Sequence, residues 1–224
     1  MDYTREVAAY SRLMSIGETG RSIPKFYGSW TFQLPIASQG VVYQRPVRVL
    51  LIDHLEGLDL QSSRIQNDYL AHNSLDAFHL PEDYRLEVLA RVLDSHAWFM
   101  HWGVNHGDLA GRNVMLVTDT SAKLSTGNNS IISIPRVVLV DFNVSTVYSC
   151  TLMGKHSFEN LARPVSPMEL FWKWSLAVDF EGWVPREWAD SERLQQQWLL
   201  RRFGSEEQKA LYEPVTKELE FSID

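Results

Sequence analysis

Two stretches of this chain carry residues able to do chemistry together: His106-Gly107-Asp108-Leu109-Ala110-Gly111-Arg112-Asn113, and Asp141-Phe142-Asn143. Moving a phosphoryl group asks little covalent work of a protein. It needs a carboxylate to orient the attacking hydroxyl, and oxygen ligands to hold magnesium against the phosphates. Two aspartates and an asparagine at the ends of adjoining elements supply both. A lone Asp in a loop is ordinarily a cap or turn residue; the joint pattern lifts these residues above that bland reading.

The elements that must position them are legible in the apolar spacing. Pro81 opens a long helix in which Leu86, Leu89, Ala90, Leu93, Ala97 and Met100 form one stripe, ending near Gly103, so the first stretch follows that helix directly. Val114 to Val117 and Val137 to Val140 read as a hairpin with a long polar tip containing Gly127-Asn128-Asn129, and Asp141 follows its second strand. Upstream, Val7, Tyr10, Leu13 and Met14 predict a first helix over residues 4–14, broken by Gly17 and Gly20. Phe26 to Gln33, Gln39 to Gln44 and the strongly apolar Val47 to Ile52 predict a small antiparallel sheet, the last as a buried strand. Residues 59–79 read as loop with a short helix. Two helices close the chain, the second opened by Ser205 with Gln208 three residues on.

The two stretches resemble the catalytic and metal-binding loops of the protein kinase-like superfamily, H-x-D-x-x-x-x-N followed by D-F-G. The H-G-D form is similar to aminoglycoside and choline phosphotransferases, whereas Leu109 to Asn113 looks more like the L-A-A-R-N of tyrosine kinases. By that resemblance Asp108 is the catalytic base, Asn113 and Asp141 hold magnesium, and Arg112 touches the transferring phosphate; a surface Arg paired with an acid is the plain alternative for Arg112. Glu6 in the first helix resembles the helix-C glutamate. Ile23 to Gly28 resembles the strand after it. Ile52 would be the gatekeeper and Asp53 and Leu55 the hinge, whose backbone groups hold adenine. The resemblance covers residues 4–148.

Departures from the family are equally visible. No glycine-rich loop and no V-A-I-K lysine are present, since only five residues precede Glu6, and Gly17-Glu18-Thr19-Gly20 has the wrong spacing for a phosphate cradle. Asn143 stands where the glycine of D-F-G would be, a place where Asn can adopt left-handed backbone angles. No A-P-E motif follows, and Gly107 replaces the Arg that would receive a phosphorylated activation loop.

With 45% hydrophobic residues and eight Trp, the chain has ample apolar surface for an ordered core. A net charge of −7 with scattered Lys and Arg argues against nucleic acid as a partner. Cys150 is the only cysteine, so no internal disulfide framework exists, which fits a reducing compartment. No apolar run long enough to span a bilayer is present, and the chain reads as soluble and cytoplasmic. His96, His101 and His106 recur every five residues, which does not place them on one helix face as a metal pair; His106 is expected to brace the loop through backbone hydrogen bonds. Trp172, Trp174, Trp183, Trp188 and Trp198 read as core rather than as a stacking surface.

The expectation is an α+β, protein kinase-like bilobed fold: a truncated N-lobe in residues 1–55 and a mainly helical C-lobe in residues 56–224. Its function would be ATP- and magnesium-dependent phosphotransfer to a hydroxyl acceptor, protein or small molecule. The alternative is a catalytically inactive pseudokinase acting as a binding or regulatory scaffold. Nothing in the sequence speaks to oligomeric state.

Overall fold

The computed structural model describes residues 3–66, 75–125, 131–173 and 176–215. The tip Gly127-Asn128-Asn129 and Trp174 lie outside them.

The chain begins with α1 (Tyr3–Ser15), which buries Ala9, Tyr10 and Leu13. Met14, expected on that stripe, is 45% exposed. The helix stops in a Schellman arrangement: Glu18 N–H reaches the Leu13 carbonyl, Gly17 N–H reaches Met14, and Gly17 takes φ +84°.

Two long strands follow, β1 (Phe26–Ser38) and β2 (Val41–Ile52), paired antiparallel as an isolated two-stranded ribbon. The segments Gln39 to Gln44 and Val47 to Ile52, expected to be separate, form one strand from Val41 onward, with Gln39 and Gly40 outside it. Gln39 and Gly40, at φ +52° and +78°, form the two-residue turn that hairpin twist favours. Val47 to Ile52 is not a buried strand, since Arg48 and Leu51 are exposed and the other four only half-buried. No second sheet covers the ribbon among the described residues.

After residues 53–56 the chain enters β3 (Gly57–Asp59). Residues 59–79 hold no helix among those described, but the short strands β4 (Ile65–Gln66) and β5 (Leu75–Asp76), paired with each other. Next comes α2 (Glu82–His101), preceded by Pro81 and buried on Leu86, Leu89, Ala90, Leu93, Ala97 and Met100 as the spacing predicts. The chain then runs through β6 (Val104–Asn105) and the loop to a 3-10 turn at Gly111–Asn113. The hairpin β7 (Val114–Ser125) and β8 (Ile131–Leu139) follows, with Val114 opposite Leu139 and Val117 opposite Arg136. β3 completes a three-stranded sheet, β3-β7-β8. A Cβ on Gly57 would stand 2.0 Å from the Leu116 carbonyl oxygen, so only glycine lets β3 lie this close to β7. The segment after β2 is thereby fastened to the sheet that carries the loop.

Short β9 (Thr146–Val147) pairs with β6. The remainder is helical: α3 (Pro167–Lys173), α4 (Leu176–Asp179), α5 (Glu192–Phe203) and α6 (Glu206–Lys209). Ser205 caps α6 by accepting from Gln208 N–H. Trp183, Trp188 and Trp198 are core, as expected of clustered indoles: Trp188 and Trp198 pack on Phe171, Trp198 also on Phe203, and Trp183 lies against Tyr84. Trp183 Nε1 donates to the Arg85 carbonyl, and Arg85 donates back to the Trp183 carbonyl, so both buried polar groups are paired. One continuous apolar cluster joins α1, α2, the β7-β8 sheet and the C-terminal helices. No helix among the described residues is long and apolar enough to cross a membrane.

Candidate functional site

The loop after α2 is held from both ends. Gly107, at φ +81°, lies so near the turn that follows Asp141 that a Cβ would stand 2.7 Å from the Val144 carbonyl oxygen, which makes glycine obligatory there. His106 is fully buried, its Nε2 is 3.0 Å from the Val140 carbonyl oxygen, and its ring packs 4.5 Å from that of Phe142. This is the bracing role expected of it. Burial pushes its pKa down, opposed by that backbone bond and by the charges of Asp108 and Asp141.

Asp108, Arg112 and Asn113 are in direct contact. Arg112 Nη2 donates to both carboxylate oxygens of Asp108, at 2.6 and 2.7 Å. The Asn113 amide, nearly fully buried, donates to the Asp108 carbonyl at 2.8 Å and to its Oδ2 at 3.0 Å. The i, i+4 and i, i+5 spacings close because the 3-10 turn folds Gly111–Asn113 back over Asp108. Arg112 is thus paired with the acid, the plain alternative; with 56% of its side chain exposed, it retains a free outer face.

Asp141 stands one residue beyond a strap. The Val140 N–H donates to the Asn113 carbonyl while its own carbonyl meets His106, so the backbone of one residue ties both loops together. Asp141 itself adopts φ +63°. The left-handed residue is therefore Asp141 and not Asn143: the backbone reverses at the end of β8, and Phe142 goes inward between Tyr10, Phe99 and His106.

Glu6 comes to this end of the molecule because α1 packs against β9 and β1. Burial raises its pKa, and the negative charge of Asp141 raises it further. Among the described residues no cation pairs with it. The same two acids, after burial, push the Tyr10 phenol upward, and the Tyr10 hydroxyl is buried without a hydrogen-bond partner among the described residues.

Asp53 and Leu55 are not brought to this cluster by any contact among the described residues. The Asp53 N–H donates to the Lys25 carbonyl, and its carboxylate accepts from the Tyr27 hydroxyl at 2.6 Å, so the side chain is committed to the base of the ribbon. Sequence reasoning missed Asp179, at the end of α4. Burial, then the charge of Asp108, raise its pKa, and Arg112 lowers it, which places it beside the loop. No motif surrounds Asp179, and only the docking of α4 reveals it.

Asn113 spends its amide N–H groups on Asp108, which leaves its carbonyl oxygen, with the Asp141 carboxylate, as hard donors suited to magnesium. No group of three or more His, Cys, Asp or Glu gathers as a metal cage among the described residues. A magnesium ion carried on nucleotide phosphates needs only one or two protein oxygens.

No protein-family model matches the chain, and no curated protein does. Among solved structures, a Rio2 kinase from Chaetomium thermophilum in complex with ADP/Mg2+ and phosphoaspartate aligns at a TM-score of 0.31 and 14% identity, covering 93% of this chain. The chain spans about half of that protein, 54% of its length.

Proposed function

We propose that this chain carries a protein kinase-like phosphotransfer site that binds ATP with magnesium and passes phosphate to a hydroxyl acceptor. The observation that carries the reading is the tie between the two motifs. Asn113 holds the Asp108 carboxylate, and the Val140 backbone links Asn113 to Asp141. In this reading Asp108 orients the acceptor hydroxyl, with carboxylate lone pairs to spare beyond those engaged by Arg112 and Asn113. Asn113 Oδ1 and Asp141 would hold magnesium, whose chemistry is to neutralise charge on the phosphates. Arg112 meets the transferred group from its exposed side. The Asp53 carbonyl and Leu55 N–H are the backbone groups for an adenine edge, and residues 1–55 constitute a reduced N-lobe over a C-lobe of residues 56–224.

One observation favours the second reading, a pseudokinase scaffold. Glu6 faces the negative charge of Asp141 with no cation between them among the described residues. A phosphate-positioning lysine would stand in that place.

Calorimetry of ATP binding, with magnesium and with chelator, separates the two. For the phosphotransferase, Asp141→Asn weakens binding in magnesium at least about tenfold and leaves binding in chelator unchanged. Asp108→Asn spares binding and abolishes transfer. A folded parent that binds no nucleotide, or binds it indifferently to magnesium and Asp141, leaves the scaffold reading.

A further inference from the structure

The ribbon β1-β2 has two unlike faces. Pairing places Trp30 opposite Val49, Phe32 opposite Val47, Leu34 opposite Arg45 and Ile36 opposite Tyr43 on one face, continued by Leu51. The other face carries Thr31, Gln33, Arg48, Leu50 and Ile52, with Ala37 and the exposed Val42 near the turn, and its base is turned to the body. Arg48 lies over the Tyr3 ring of α1, and Leu50 and Ile52 pack on the core. The apolar face therefore points away from the molecule, with Trp30 at 43%, Phe32 at 51%, Leu34 at 48%, Tyr43 at 50% and Leu51 at 49% exposure. The hydrophobic effect disfavours such a face in water, and a bare two-stranded ribbon is at best marginally stable.

We propose that this face packs against the same face of a second copy of the chain, forming a two-fold dimer through stacked ribbons. Edge-to-edge growth of the sheet is disfavoured by sequence. With Ser38 and Val41 flanking a two-residue turn, the pairs Pro35–Gln44 and Gln33–Pro46 fall at non-hydrogen-bonded positions. There a backbone N–H would point outward, so each proline removes a donor from a free edge. The exposed apolar side chains amount to on the order of 600 Å² per copy. Stacking two copies removes about twice that, at the lower bound of specific interfaces.

Charge favours one orientation. From Phe26 to Ile52 the ribbon contains Arg45 and Arg48 and no acidic residue, whereas its base is flanked by Lys25, Asp53 and Glu56, a net charge of −1. Arg45 belongs to the apolar face and pairs with no acid among the described residues. An antiparallel two-fold stack lays the Arg45 end of each ribbon over the base of the other, where two acids outnumber Lys25, and a parallel stack would set arginine against arginine.

Sedimentation of the full chain over a wide concentration range tests this, together with amide hydrogen exchange read on residues 26–52. A monomer-dimer equilibrium is expected, with ribbon protection rising with concentration. Phe32→Asp should raise the dimer dissociation constant at least about 100-fold and Arg45→Glu about tenfold. Gln33→Glu, on the opposite face, should leave it unchanged. Phe32 is half exposed, so its replacement spares the core, and far-ultraviolet circular dichroism verifies folding. A parent monomeric at every concentration overturns the proposal, as does a dimer indifferent to both substitutions and without ribbon protection. A monomer that instead co-sediments with phosphatidylcholine and phosphatidylserine vesicles overturns it in favour of a lipid surface.

Discussion

The side-chain amide of Asn113 donates to both the backbone carbonyl and the carboxylate of Asp108, at 2.8 and 3.0 Å, from a position only 3% exposed. One buried group thus fixes the direction of the acid and the shape of the loop that bears it. Asn113→Ala leaves the Asp108 carbonyl without that partner and should cost about 1–3 kcal/mol. Asn113→Asp sets two carboxylates together and should cost more at neutral pH than in mild acid. Chemical denaturation of the two variants at two pH values measures both effects.

Backbone geometry around the loops makes an opposite pair of predictions. Gly107→Ala must place a Cβ 2.7 Å from the Val144 carbonyl at φ +81°, and should destabilise by roughly 2 kcal/mol or more. Asp141→Gly relieves a non-glycine residue at φ +63° and should leave stability unchanged or raise it by up to about 1 kcal/mol, while removing the proposed metal ligand. Thermal melts and magnesium-dependent nucleotide binding check the two sides of that exchange.

Glu6 predicts a stabilising loss of charge. Its pKa is raised by burial and by Asp141, so the native state holds the proton more tightly than the unfolded chain. Stability from this group therefore falls as pH rises from below the ordinary value of 4.5 through the higher native one. At neutral pH, Glu6→Gln should raise the melting temperature, and the gain should vanish in acid below pH 4.5. A lower melting temperature at neutral pH would show that Glu6 is held by a favourable partner instead.

His96 predicts the reverse dependence. Burial first, and then the neighbouring His106, push its pKa from 6.5 down to about 3, so in that window the unfolded chain binds a proton that the native state refuses. Stability should fall as pH drops below 6.5, by up to ~1.4 kcal/mol per pH unit for the one proton. His96→Gln should lower stability at neutral pH yet flatten this slope, as followed by melting temperature against pH.

Local patterns were readable directly from the residues, because a helix or tight hairpin repeats over a few positions. The stripe from Leu86 to Met100 predicted the buried face of α2, and the β-branched runs beginning at Val114 and Val137 predicted the hairpin that follows the Asp108 loop and ends before Asp141. Gly107 was visible as an oddity in its motif, and the approach to Val144 explains it.

What the apolar pattern could not say is which side of an element meets the body. Val47 to Ile52 has the composition of a buried strand, yet burial depends on whether a second layer exists, and here α1 covers only one face of the ribbon. The turn at Gln39-Gly40 lacked the Asn or Asp that marks such turns, so one hairpin read as three segments. Glu6 beside Asp141, and Asp179 beside Asp108 and Arg112, join residues far apart in the chain. The sequence by itself determined the motif residues and the local elements that carry them. Tertiary packing alone decided which charges meet, which residue takes the left-handed turn and which apolar face is left in water, because each depends on contacts between segments that no local spacing encodes.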